Sequence, residues 1–161
     1  LWLKRTSTQN IVIGGAAGAV PVLVGWSAVT GTLNWAPLVM FAIIFAWTPP
    51  HFWALAVRYR DDYAAAGVPM LPAVRSLAKT AHQVLVYTAV LCVLTLVLVP
   101  VARLGTIYLV AALTLGTLFL FHAIKLVRQP TAQVAMRLFG YSITYLSLLF
   151  CAMALDQLTG H

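Results

Sequence analysis

Five stretches of this chain run for about twenty residues almost without charge, and that pattern constrains its fold more than any other feature. They lie near residues 10–30, 35–57, 80–102, 105–126 and 136–158. Each matches the roughly 20 residues an α-helix needs to cross the hydrocarbon of a bilayer. In that solvent every backbone donor and acceptor must be satisfied within the span or by neighbours, which selects helices. Charge content agrees: 8% of the residues are charged and 62% are apolar, with mean hydropathy +0.94. A soluble domain carries about 25% charged residues, so this chain lacks the polar surface to cover itself in water. The expected fold class is all-α, a polytopic transmembrane bundle with five helices here.

Net charge is +7, but no basic stripe with interleaved stacking residues accompanies it, so no nucleic-acid partner is expected. The basic residues gather at the ends of the apolar runs instead. Lys4 and Arg5 precede the first. Arg58, Arg60, Arg75 and Lys79 lie between the second and third, and Lys125, Arg128 and Arg137 surround the turn between the fourth and fifth. With alternating topology these nine share one side and Arg103 alone occupies the other. The asymmetry predicts that the N-terminus and loop 58–79 are cytosolic and the C-terminus is outside.

Local signals refine the spans. Asn34 is a candidate N-cap for the second helix, with Pro37 tolerated in its first turn. Thr80 and Gln83 have capping-box spacing for the third. Gly14 and Gly18 form a small-xxx-small pair suited to close helix packing, and the hydroxyls around Tyr141 and Tyr145 suit interhelical hydrogen bonds. Cys92 and Cys151, both mid-span, read as buried small hydrophobes rather than a disulfide or metal pair.

The stretch WTPPHFWALAVRYRDDY, residues 47–63, is less regular. Pro49 and Pro50 each remove a backbone donor, which predicts a kinked or unwound helix at the depth of His51. The assumed orientation puts His51, His82 and His122 at one level near the cytosolic face, as if around a single cavity. Asp61 and Asp62 follow just above and supply two of the chain's three acids. One such carboxylate suits a hard cation such as Mg²⁺, which completes its shell with water and substrate phosphates. Adjacent residues do not share a helix face, so the pair is a poor clamp by itself. The loop then reads YAAAGVPMLPAV: one helical turn that Gly67 can end, followed by an apolar strip with Met70, Leu71 and Val74 that suits a lid over an apolar substrate. No zinc spacing, nucleotide-binding glycine loop or nucleophile elbow is present in the sequence.

LKRTSTQNIVIGGAAGAVPVLVGWSAVTG at 3–31, WTPPHFWALA at 47–56 and DDYAAAGVPMLP at 61–72 together resemble the heme O synthases, the protoheme IX farnesyltransferases among the UbiA-type intramembrane prenyltransferases. The resemblance implies a nine-helix bundle around a cavity open to the cytosolic side, with the five helices here as its last five. It implies transfer of farnesyl from farnesyl diphosphate to a vinyl group of heme b, on the route to heme A, with heme A synthase as a potential partner. Asp62 matches the family's aspartate in its second polar loop, and Asp61 stands where the family varies; both are catalytic and metal candidates. Lys4 and Arg5 match a basic pair suited to diphosphate. Arg58, Arg60 and Tyr63 lie beside the acids as substrate-binding candidates. His51 matches the family's histidine and is assigned to contact heme iron, a propionate or the quenching water, the three remaining open. Trp47, Phe52 and Trp53 are candidates to stabilise an allylic cation through their ring faces. The family's first aspartate-rich loop is absent from the sequence, which predicts that residues 1–161 are the C-terminal part of a longer enzyme. The competing readings are a prenyltransferase for a quinone precursor or chlorophyllide, half of a membrane transporter, and a structural heme-binding subunit.

Overall fold

The computed structural model describes residues 10–159, with side chains from residue 11. The described residues form seven helices: α1 (Asn10–Thr30), α2 (Trp35–Arg58), α3 (Arg60–Ala65), α4 (Leu71–Val74), α5 (Leu77–Val101), α6 (Thr106–Arg128) and α7 (Ala132–Leu158). The five long ones are each apolar and long enough to cross a membrane. Their ends fall within a few residues of the sequence reading.

Caps set those ends. Asn34 Oδ1 accepts from Ala36 N at 3.1 Å and starts α2, as expected. α5 starts earlier than expected: Ser76, not Thr80, is its N-cap and accepts from Lys79 N at 3.3 Å. Thr80 is buried inside the first turn, where its hydroxyl donates back to Ser76 O. The cap therefore went to the serine directly after an extended residue, Arg75. Gly67, at φ +62°, ends the short helix of the loop as the sequence predicts.

α2, α5, α6 and α7 form a closed four-helix ring, in which α2 packs on both α5 and α7, and α6 on both α5 and α7. Among the described residues α1 packs chiefly against α2. The ring's core runs through Ile43, Trp53, Leu91, Phe119, Tyr145 and Leu149. Tyr145 is fully buried and Tyr141 donates its hydroxyl to Leu115 O of α6 at 2.8 Å. The Tyr141–Tyr145 stripe is thus an internal seam. Cys92 and Cys151 are free, but only Cys92 faces a neighbour, donating toward Gly116 O at 3.5 Å. Cys151 is exposed on the bundle's outside, contrary to expectation; a thiol is apolar enough to stand there.

Asp156, the third acid, holds the far end of the bundle. It is 2% exposed and accepts backbone N–H bonds from Gly105 and Tyr108, so α7 caps the N-terminus of α6. Removing a charged acceptor from two donors, one of them buried, costs about 1–3 kcal/mol. Asp156→Ala is expected to lower the unfolding midpoint in detergent, with Asp156→Asn between it and the parent. A midpoint unmoved by the alanine variant would show the cap to be dispensable.

Candidate functional site

The aspartates leave α2 with hardly an interruption. After the α2 terminus Tyr59 turns the chain, Tyr63 N bonds to Tyr59 O at 3.0 Å, and α3 begins. Arg58, Tyr59, Arg60, Asp61 and Asp62 are all exposed, and Tyr63 is half-buried. Asp61 and Asp62 occupy the first turn of α3, so successive residues fan out around it. Their oxygens are the right donors for a hard divalent cation. Among the described residues, however, no group of three or more His, Cys, Asp or Glu side chains can hold a metal. The pair fits one side of a Mg²⁺–diphosphate unit and does not enclose it. Lys4 and Arg5 lie outside the described residues.

The apolar strip of the loop is seated on the bundle. Met70 and Pro72 are buried and Leu71 packs on the ring's core, while Val74 stands exposed. α4 touches α2, α3 and α5. It plugs the top of the α2–α5 seam.

Pro49 and Pro50 do not unwind α2. The helix is continuous from Trp35 to Arg58 and both prolines are buried. Packing against α1, α5 and α7 holds the backbone helical where proline alone would break it. One turn past the prolines the side chains diverge to three neighbours. Trp53 points into the core and meets Tyr87 of α5 edge-on at 5.5 Å. Phe52 and Trp47 border a cavity of about 290 Å³ between α1 and α2, whose α1 wall is Ile11, Gly14, Gly15 and Gly18. The sequence pairs Gly14 with Gly18 as the packing contact, but the structure uses Gly15: a Cβ there would stand 3.0 Å from Thr48, whereas Gly14 and Gly18 have open space. A helix turned by one residue converts the expected contact into the floor of a cavity.

His51 is the most tightly held of the candidates. Its ring stacks on Trp47 at 4.2 Å and 20°, and on Phe139 of α7 at 4.6 Å and 28°. Phe52 meets it edge-on at 5.1 Å. Its Nδ1 is 2.7 Å from Ser142 Oγ, and Trp47 Nε1 donates to the backbone oxygen of the same Ser142 at 2.9 Å. Phe139 and Ser142 were not singled out from sequence. The hydroxyl-bearing run that contains Ser142 was a signal for interhelical bonding, but nothing in it names a partner 91 residues away.

The three histidines do not share a cavity. His82 is exposed on the outer face of α5, its Nδ1 donating to Ala78 O at 2.8 Å, in a cleft of about 420 Å³ with Arg75 and Lys79. His122 lies against Tyr141 at 4.9 Å. Common depth in a membrane fixes a height, and each helix's rotation then sends its histidine a different way.

The family model described as the UbiA prenyltransferase family matches residues 1–153. Among curated proteins, the chain is 57% identical over 159 residues to a protoheme IX farnesyltransferase from Gloeobacter violaceus, covering 98% of this chain and 52% of the relative. The protein of that name from Trichormus variabilis is 54% identical, with 98% of this chain and 50% of the relative covered. That from Cutibacterium acnes is 52% identical, with 97% and 48% covered. The chain thus spans about half the length of the curated relatives it matches. No solved structure matches it.

Proposed function

Because the chain belongs to the UbiA prenyltransferase family, we propose that it is the C-terminal half of an intramembrane enzyme that transfers farnesyl from farnesyl diphosphate to a vinyl group of protoheme IX, giving heme O. One observation carries the reading. α2 runs unbroken from an aromatic-walled apolar cavity to its end at Arg58, and directly after that end α3 carries the exposed carboxylates. An allylic cation needs a dry π-lined wall at the first place, and diphosphate departure needs charge at the second. The names of the similar proteins support the choice of substrates.

Asp62, with Asp61 beside it, would hold one side of a Mg²⁺–diphosphate unit; the ion, when bound, offsets charge building on the leaving diphosphate. Arg58 and Arg60 add positive charge at the same membrane edge. Trp47 and Phe52 border the space for the isoprenoid chain and keep water from it. The carbon–oxygen bond of the allylic ester breaks with its electron pair on diphosphate. The vinyl carbon supplies the pair for the new carbon–carbon bond, and water captures the resulting cation and loses a proton. Full-length enzyme given heme b and farnesyl diphosphate should yield a product with the mass of heme O. A prenylated quinone precursor instead, with heme unchanged, would overturn the reading.

Two further expectations concern the cavity and the orientation. Gly18→Leu adds a side chain where nothing lies within 4 Å, into the α1–α2 cavity. It should leave the protein folded and raise the KM for farnesyl diphosphate at least about tenfold, the effect of roughly 1.4 kcal/mol of lost binding. An unchanged KM would place the isoprenoid elsewhere. The second concerns orientation, which in a bacterial plasma membrane puts α3 and α4 on the cytosolic side. The ten basic residues divide nine to one by side, so a reporter fused after Gly160 should be active outside the cytosol. Activity only inside would reverse the topology.

A further inference from the structure

His51 makes one hydrogen bond whose direction can be deduced. Ser142 has a single hydroxyl proton and two short contacts: Phe139 O at 2.6 Å and His51 Nδ1 at 2.7 Å. A carbonyl oxygen only accepts, so the serine proton goes to Phe139. The remaining contact then requires His51 to donate its Nδ1–H to Ser142 Oγ. A neutral imidazole protonated on Nδ1 carries a lone pair on Nε2. That Nε2 has no hydrogen bond among the described residues. Nor is it one of the buried side-chain atoms without a partner, which are Trp26 Nε1, Trp53 Nε1 and Tyr145 Oη. Nε2 is therefore an electron-pair donor that no described residue engages, on a half-buried side chain.

The rest of the ring is immobilised: Trp47 covers one face, Phe139 the other, and the indole N–H of Trp47 is tied to the same Ser142 that holds Nδ1. Three contacts thus fix the direction of one lone pair. A packing histidine needs no such aim. A metal-binding histidine does, and it commonly donates its other ring N–H to a fixed acceptor. The same tautomer argues against a propionate partner, because a carboxylate offers no proton to a lone pair.

We infer that His51 Nε2 is an axial ligand for the iron of the heme substrate, and that Ser142 is the positioning residue that fixes its tautomer and ring. The inference rests on the heme reading above and chooses among the roles that sequence leaves open. It also fits the separation along α2. His51 and Arg58 are seven positions apart, about 10 Å of helical rise, so this imidazole grips one substrate while the carboxylates serve the other.

The test compares ferric heme b with metal-free protoporphyrin IX on the full-length protein, reading affinity for both and the visible spectrum of bound heme. The parent should prefer the iron form by at least about tenfold, an increment of roughly 1.4 kcal/mol. His51→Ala should abolish that preference while still binding protoporphyrin, which also shows that the variant is folded, and added imidazole should restore the parent spectrum. Ser142→Ala should lower the preference by about tenfold, the usual effect of removing the partner of a metal-binding histidine. Equal weakening of both ligands in His51→Ala, or an unchanged heme spectrum, would make His51 a packing residue and overturn the inference while heme O formation stands. If the parent binds neither ligand and forms no heme O, the functional reading itself fails.

Discussion

Asp62→Asn in the full-length enzyme should cut heme O formation by about 10²–10³-fold, the range seen when one group stabilising a developing charge is removed. The amide keeps the shape of the carboxylate and one acceptor oxygen but loses the charge that a hard cation needs. Folding should be nearly untouched. Asp62 is exposed on a six-residue helix at the membrane edge, and surface substitutions away from special features usually stay within about 0.5 kcal/mol. Asp61→Asn should cost less. Exposure does not separate the two aspartates, so that ranking rests on the family pattern, which Asp62 matches. Heme binding should survive in both variants, because His51 lies about two turns deeper. Turnover measured across a titration of farnesyl diphosphate and Mg²⁺ provides the check. A normal yield from the Asp62 variant would show that another group carries the diphosphate.

The spans were legible because hydropathy averages over twenty residues and the bilayer sets that length. The phase of each helix was not. In water a helix shows which face is buried, since the other is polar. In lipid both faces are apolar, and the sequence loses that mark. Two misplacements follow from this single cause. Gly14 and Gly18 were paired for packing when Gly15 makes the contact. The histidines were gathered by depth when rotation separates them.

Polar residues within spans were readable as exceptional but not as pairs. His51 stood out at once, because an ionisable group in a span is costly. Ser142 did not, because hydroxyls satisfy themselves on their own helix, as Thr48 does with Ile44 O at 2.8 Å. Only the fold shows that Ser142 also reaches across to α2. Of the kinked or unwound helix that the prolines predict, the unwound alternative fails for a related reason: local propensity disfavours the helix, and three packed neighbours hold it.

Residues 1–161 expressed alone should make no heme O. The chain has three acidic residues. Asp156 is committed to capping α6 at the opposite end of the bundle, where it binds Gly105 N and Tyr108 N. That leaves Asp61 and Asp62, and the described residues assemble no third ligand beside them. A diphosphate with its metal carries more charge than two divergent, solvated carboxylates and nearby arginines can organise in water. The cavity is as incomplete as the metal site. Its α1 wall packs chiefly on α2, and Gly14 and Gly18 have nothing within 4 Å among the described residues. An allylic cation formed there would meet lipid or water before a vinyl group. The ring of α2, α5, α6 and α7 has its own buried core, so the segment should still insert and fold. The loss should therefore be one of chemistry, separable from misfolding: inserted protein with helical dichroism but no product. Co-expression with the first half of a protoheme IX farnesyltransferase relative should restore activity by supplying the missing carboxylates and walls. Heme O from the 161 residues alone would show that two aspartates suffice, and would overturn the shared-site account.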